Sequence, residues 1–218
     1  MSISDEILDN KGTVVNTTKI SDYNYPLRFE FKIGTLSNDF IAKDASGKTL
    51  VYVRSKLFKL KEDIQVFASE KKEEVLFTIK ADRIIDFNAC YAFANDEGEF
   101  IGQVGRKGAK SLLKAHYEIY DEQKTPEFLI QEENPWAKFW DALLCEIPII
   151  SMFTGYMFNP RYGIKRTNNE EAIMRLSKEK SFFGRRFKLE KIGELEEGED
   201  ERLILGLMMM SLLERRRG

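Results

Sequence analysis

The sequence is short of the residues that build metal centres and disulfide frameworks. Among 218 residues there are 2 Cys and 1 His, with 5 Pro. Two cysteines cannot form a disulfide framework, and structural zinc sites draw several ligands from Cys and His. We therefore expect no metal and no cofactor. Cys90 and Cys145 each lie in an apolar stretch, which is typical of buried, inert thiols in a reducing compartment.

Long apolar runs and an excess of one charge are also missing. A membrane-spanning helix needs about 20 apolar residues, whereas residues 143–158 are interrupted and residues 203–213 are too few. The acidic N-terminus lacks the apolar stretch of a signal peptide. The 34 Lys and Arg nearly balance the 36 Asp and Glu, which excludes a bulk polycation for nucleic acid. We expect a cytoplasmic protein with no nucleic-acid partner and no transmembrane span.

The most frequent pattern in the sequence is that of short β-strands. Residues 27–33 alternate apolar and charged side chains, the period of a half-buried strand. Similar runs recur along the chain, and polar turns that end in Gly, such as 44–47 and 95–98, separate them. This pattern predicts an antiparallel sandwich or barrel, since a parallel α/β sheet would need helices between its strands. The predicted strands are 27–33, 40–43, 49–54, 57–61, 64–68, 75–80, 84–87, 90–94, 99–104, 116–120, 127–131, 162–166, 171–176 and 186–192.

Two helices are predicted. Asn134 and Pro135 are a typical N-cap and first helical residue, and apolar residues then follow at helical spacing, which predicts an amphipathic helix near 135–145. The second helix runs from Glu199 to about Arg217, with acidic residues at its front and arginines at its back, as the helix dipole favours. Its middle is apolar on every face, so it must be buried on every face.

A single barrel closed around this C-terminal helix satisfies both patterns, because the helix would fill the interior of the barrel and the strands would bury the helix on every face. The predicted fold is therefore mainly β: one closed antiparallel β-barrel around a central hydrophobic helix, with the amphipathic helix added. Residues 1–24 are polar and weakly patterned. We expect them to be a loosely ordered N-terminal segment, with residues 25–218 forming the barrel domain.

Several segments resemble a known family when taken in serial order. They are residues 25–29, 41–48 with 53–54, 87–93, 98–104 and the terminal apolar helix. Over residues 25–217 the chain resembles tubby C-terminal-like proteins, on the branch of LURP-one-related proteins and phospholipid scramblases. This resemblance implies about twelve strands around one central helix. It also implies association with membranes, since tubby proteins bind phosphoinositides and scramblases move phospholipids. The Pro-rich, Cys-rich and calcium-binding segments of scramblases have no counterpart here, so scrambling is not implied.

Two basic stretches are candidate sites for an anionic head group. Cations with aromatic neighbours such as Phe182 and Phe183 suit the surface of an anionic membrane. The alternative interpretation is a solvated charged face with these Phe side chains in the core. The candidate residues are Arg106, Lys107, Lys110, Arg185, Arg186 and Lys188.

An aromatic segment is a candidate surface for a protein partner. The alternative is a helix that packs over one end of the barrel. The candidate residues are Trp136, Trp140, Phe153 and Tyr156.

No catalytic site is predicted. His116 is the only histidine, and no Ser or Cys nucleophile motif lies near it. Ligands are expected outside the barrel, because the terminal helix would fill its interior. The favoured hypothesis is a non-enzymatic binding module, peripheral to an anionic phospholipid or membrane surface. The alternative is a soluble scaffold or regulatory protein that binds another protein through the aromatic segment 136–158.

Overall fold

The computed structural model describes residues 24–31, 37–56, 63–83, 90–106, 116–133, 161–179 and 185–215. Within these ranges the chain forms twelve strands and a C-terminal helix, α1 (Glu199–Arg215). The strands are β1 (Leu27–Phe31), β2 (Ser37–Lys43), β3 (Thr49–Lys56), β4 (Ile64–Phe67), β5 (Val75–Arg83), β6 (Cys90–Asn95), β7 (Phe100–Arg106), β8 (His116–Tyr120), β9 (Pro126–Glu132), β10 (Arg161–Arg166), β11 (Ala172–Glu179) and β12 (Arg185–Lys191).

The strands form one closed barrel in which every neighbouring pair is antiparallel. Each strand pairs with the strands before and after it in the chain, and β12 closes the barrel on β1. In this closing pair Leu27 lies opposite Leu189 and Phe31 opposite Arg185. Closure removes the unpaired edges at which open sheets associate. The predicted fold, a closed antiparallel barrel of about twelve strands, is confirmed.

Side-chain alternation in β1 follows the period-two pattern of the sequence. Leu27, Phe29 and Phe31 are buried, whereas Arg28 is exposed. Most other strands begin and end within three residues of the predicted runs. The predicted strands 57–61 and 84–87 lie outside the described residues.

The tight turns have the predicted chemistry. Gly47 has φ +87° and Gly98 has φ +85°, a conformation that costs glycine nothing because it has no Cβ. The turn between β8 and β9 has the same hydrogen bonds, with Lys124 at φ +62° in the glycine position. Turn residues can thus be predicted where Gly marks them, and less well where another residue takes its place.

Helix α1 occupies the interior of the barrel. Its apolar residues from Leu203 to Leu212 are at most 2% exposed, which confirms the prediction of a fully buried helix. A Cβ on Gly206 would lie 2.5 Å from Cδ1 of Ile119 on β8, so any larger residue there would force the Ile119 side chain to move. Among the described helical residues, no helix is long and apolar enough to cross a membrane.

Two parts of the predicted organisation fall largely outside the described residues. The amphipathic helix near 135–145 lies there entirely. Of the N-terminal segment 1–24, only Asn24 is described. Both remain predictions.

Candidate functional site

Two of the candidate cations lie together on the outer face of β12. Leu189 is fully buried on the inner face, and Arg186 and Lys188 belong to the alternate, outer set. In the barrel Lys188 lies directly opposite Arg28 of β1, and Arg28 lies opposite Lys43 of β2. Residues directly opposite in antiparallel strands have Cβ atoms about 5 Å apart. Three cations therefore stand side by side on three neighbouring strands.

The same register continues on the other side of β12. Lys188 lies opposite Ser177 of β11, and Ser177 lies opposite Arg161 of β10. We call Lys43, Arg28, Lys188, Ser177 and Arg161 the basic row. Lys43 ends β2 whereas Arg161 begins β10, so the row crosses the wall obliquely, as the strand tilt of a barrel requires.

Acidic neighbours compensate part of the positive charge around the basic row. Glu30 pairs with Lys43 through an Nζ–Oε2 distance of 3.3 Å and with Arg186 through an Nε–Oε1 distance of 3.8 Å. Lys188 pairs with Glu190 at 2.6 Å. These pairs are solvent-accessible and therefore weak.

Arg28 and Arg161 differ from these cations. Both are exposed, and neither makes an ion pair with another residue of the described ranges. A guanidinium has five donors in a planar fork that matches phosphate oxygens. The basic row therefore presents two arginines to solvent: Arg28 between the partly compensated Lys43 and Lys188, and Arg161 at the end of the row.

The remaining candidate cations are not part of this row. Arg106 lies on the same strand face as the buried Val104, and its guanidinium carbon is 6.0 Å from the ring centre of the fully buried Tyr117. Four strands separate β7 from β12 in the barrel order, so Arg106 is not near Lys188. Lys107 and Lys110 lie outside the described residues, and of Arg185 only the backbone, at the start of β12, is described.

The aromatic candidate surface cannot be placed. Trp136, Trp140, Phe153 and Tyr156 all lie outside the described residues. Their role in partner binding stays a prediction.

Acidic residues are concentrated at one end of the barrel. Every second connection of an up-and-down barrel lies at the same end, and here these are residues 44–48, 68–74, 96–99, 121–125, 167–171 and 192–198. We call these six connections, with the start of α1, the acidic end. The six connections contain four basic residues, Lys48, Lys71, Lys72 and Lys124. The acidic residues of this end are Asp44, Glu70, Glu73, Glu74, Asp96, Glu97, Glu99, Asp121, Glu122, Glu170, Glu171, Glu194, Glu196, Glu197, Glu199, Asp200 and Glu201.

Buried ion pairs fix α1 at the acidic end. Arg202 donates to Glu127 of β9 from Nε at 2.8 Å and from Nη2 at 2.7 Å. Arg166 of β10 donates from Nη2 to Glu199 at 2.8 Å. The hydrogen bond to Glu199 raises the pKa of Arg166. These contacts connect the first turn of the helix to two strands.

A phenol adds a third connection to the helix. Tyr25 donates a short hydrogen bond to Asp200. Burial, and then this bond, raise the pKa of Tyr25 well above its usual range. Carboxylates of the acidic end, such as Glu199 and Asp200, therefore make contacts that hold the helix in place.

His116 lies in a small group of polar side chains on β8 and β9. His116 Nδ1 lies 3.3 Å from the amide nitrogen of Gln131, and His116 Nε2 lies 3.9 Å from Glu118. Glu118 also accepts a hydrogen bond from Tyr120 at 2.6 Å. Within the described ranges, no three His, Cys, Asp or Glu side chains are arranged to hold a metal ion.

Sequence reasoning missed Arg28, Lys43 and Arg161. The alternation in β1 placed Arg28 on the outer face, but no sequence pattern showed that β1 pairs with β12, about 160 residues later in the chain. The position of Arg106 was predictable from its even spacing to Val104, which places the two on one strand face. Residues 103–117 contain no Asp or Glu, and this composition therefore groups Arg106 with the neighbouring lysines as one basic stretch.

The family model described as LURP-one-related matches residues 49–211, most of the chain. Among solved structures, the chain is similar to an X-ray structure of a protein from Arabidopsis thaliana, with 10% sequence identity and a TM-score of 0.48, over 88% of this chain and 93% of that one. Comparison with curated proteins gives no match.

Proposed function

The chain belongs to the LURP-one-related family, and we propose that it is a non-enzymatic binding module that attaches peripherally to membranes containing anionic phospholipid. The basic row is the observation that supports this proposal most strongly. It combines cations from four strands on one exposed wall, and two of its arginines are unpaired within the described residues. We place the protein at the cytoplasmic leaflet, where anionic lipids give the surface a negative potential.

The barrel architecture favours an external binding surface. Helix α1 fills the interior with side chains such as Leu205 and Met209, which are fully buried, so a ligand has to bind to the outer wall or to the loops. Each Lys or Arg near an anionic membrane contributes about 1 kcal/mol. A few exposed cations are therefore sufficient for reversible attachment.

The charge distribution also favours one orientation. The acidic end is repelled by an anionic surface, whereas the wall formed by β10, β11, β12, β1 and β2 is attracted to it. Because salt screens exposed charges over about 8 Å at physiological ionic strength, only side chains close to the lipid contribute. We expect the barrel to lie on this wall with its acidic end turned away.

Vesicle co-sedimentation tests the proposal. We expect binding to vesicles of phosphatidylcholine with phosphatidylserine at low salt, and much weaker binding to pure phosphatidylcholine. Substitution of Arg28→Gln together with Arg161→Gln removes about 2 kcal/mol of attraction, which corresponds to roughly 30-fold weaker binding.

A matched control removes the same charge elsewhere. Lys71→Gln with Lys72→Gln changes two cations in the turn between β4 and β5, at the acidic end. We expect this variant to bind within about twofold of the wild type. If the wild type does not bind anionic vesicles at low salt, or if both variants lose affinity equally, the proposal is wrong.

A further inference from the structure

The N-terminal segment joins the described structure beside the basic row. The backbone carbonyl of Asn24 accepts a hydrogen bond from the amide of Ala45 at 2.9 Å. Ala45 follows Lys43 by two residues, and Arg28 follows Asn24 by four. The chain that precedes Asn24 is therefore attached next to two members of the row.

The first ten residues of this segment carry charges that complement those of the row, and Lys11 and Lys19 follow them. Residues 1–10 contain Asp5, Glu6 and Asp9 and no Lys, Arg or His. The basic row has two exposed arginines without an ion pair among the described residues. From this juxtaposition we propose that the acidic residues 5–9 bind the basic row and compete with the membrane for it. The inference rests on the proposed function, because it names a regulator of the same surface.

The length of the segment allows this contact. The fifteen residues from Asp9 to Asn24 span at most about 50 Å when extended. The basic row crosses four strand spacings of about 4.8 Å each, or roughly 19 Å. A tethered segment that covers this distance has an effective concentration in the millimolar range. Several weak ion pairs are then sufficient to hold it for much of the time.

Electrostatics at the attachment point favour the row over the nearest alternative. Asn24 lies beside the turn 44–48, which belongs to the acidic end. The carboxylates of that end repel Asp5, Glu6 and Asp9. The two strands beside this attachment point, β1 and β2, carry Arg28 and Lys43 of the basic row, which lie opposite each other.

Carbodiimide cross-linking tests the contact without lipid. This reagent joins a carboxylate to a lysine amine only when the two are in contact, and the Lys188–Glu190 pair at 2.6 Å serves as an internal positive control. We expect mass spectrometry of the full chain to show Asp5, Glu6 or Asp9 joined to Lys43 or Lys188 at low salt, with the yield falling in high salt. Equal yields to Lys71 and Lys124 at the acidic end, or no cross-link from residues 5–9, would overturn the inference.

Vesicle affinity gives the second test. The variant Asp5→Asn, Glu6→Gln, Asp9→Asn frees the row, so we expect it to bind anionic vesicles about three- to tenfold more tightly than the wild type, in proportion to the fraction of molecules whose row was occupied. The control, Glu73→Gln, Asp96→Asn, Glu97→Gln, removes the same charge from turns of the acidic end. An equal gain in both variants would mean that only net charge matters and would overturn the inference.

The two tests separate this inference from the proposed function. If the wild type binds anionic vesicles but neither the cross-links nor the specific gain in affinity is found, the regulatory inference fails while the membrane proposal stands. If the cross-links form but no vesicle binding is seen in any variant, the membrane proposal fails while the intramolecular contact stands.

Discussion

The acidic end and the basic row use charged residues in two different ways. At the acidic end, carboxylates are part of the framework: Glu127 and Glu199 bind the largely buried Arg202 and Arg166, and Asp44 accepts hydrogen bonds that close a turn. In the basic row, Lys43 and Lys188 make only solvent-accessible pairs, and Arg28 and Arg161 make none within the described residues. The first set contributes to stability, whereas the second is available for a ligand.

This comparison explains how a chain of nearly balanced charge can have a directional surface. The formal net charge is −2, yet the connections at one end are mainly acidic and one wall is locally basic. Composition averages the two regions, and only the topology separates them. Substitutions in each region test whether structural and binding roles divide between the two as proposed.

The largest expected effect is on stability, from the buried ion pair at the acidic end. The side chains of Arg202 and Glu127 are only 9% and 14% exposed. Arg202→Met leaves the Glu127 carboxylate without its partner, so we expect the free energy of unfolding in urea to fall by about 3–5 kcal/mol. The vesicle affinity of the folded protein should not change.

A second variant distinguishes the lost partner from lost packing. Arg202→Met combined with Glu127→Gln removes the isolated charge, so we expect it to recover part of the stability. If Arg202→Met lowers vesicle affinity while unfolding is unaffected, the acidic end has a binding role and the division between the regions fails.

The smallest expected effect is on stability, from the basic row. Arg28 and Arg161 are exposed, and surface substitutions of this kind change the free energy of unfolding by less than about 0.5 kcal/mol. The variant Arg28→Gln with Arg161→Gln should therefore unfold like the wild type in urea. A loss of several kcal/mol would show that the row belongs to the framework.

The parts of the fold that local patterns determine were predictable. Alternation placed Leu27, Phe29 and Phe31 inside, glycine identified two turns, and an all-round apolar sequence with acidic residues before it predicted the position and burial of α1. Each of these features depends on residues that are close in sequence. The resemblance to LURP-one-related proteins is confirmed by the family match.

The basic row was not predictable in the same way. It depends on which strands are neighbours, and the decisive pair, β1 with β12, joins the two ends of the barrel domain. Sequence composition instead grouped Arg106 with the lysines that follow it, although its side chain lies over the buried ring of Tyr117. Stretches of like charge in a sequence are a poor guide to surfaces in an antiparallel barrel, because adjacent residues of a strand point to opposite faces.

The most direct test of the central claim moves charge without changing its total. The variant Arg28→Gln, Arg161→Gln, Glu73→Gln, Glu97→Gln keeps the formal net charge while it removes two cations from the row and two carboxylates from the acidic end. Its affinity for phosphatidylcholine–phosphatidylserine vesicles at low salt is the measurement. We predict a loss of at least tenfold relative to the wild type, about 1.4 kcal/mol. Binding equal to that of the wild type would contradict the claim that the basic row, rather than net charge, attaches this protein to membranes.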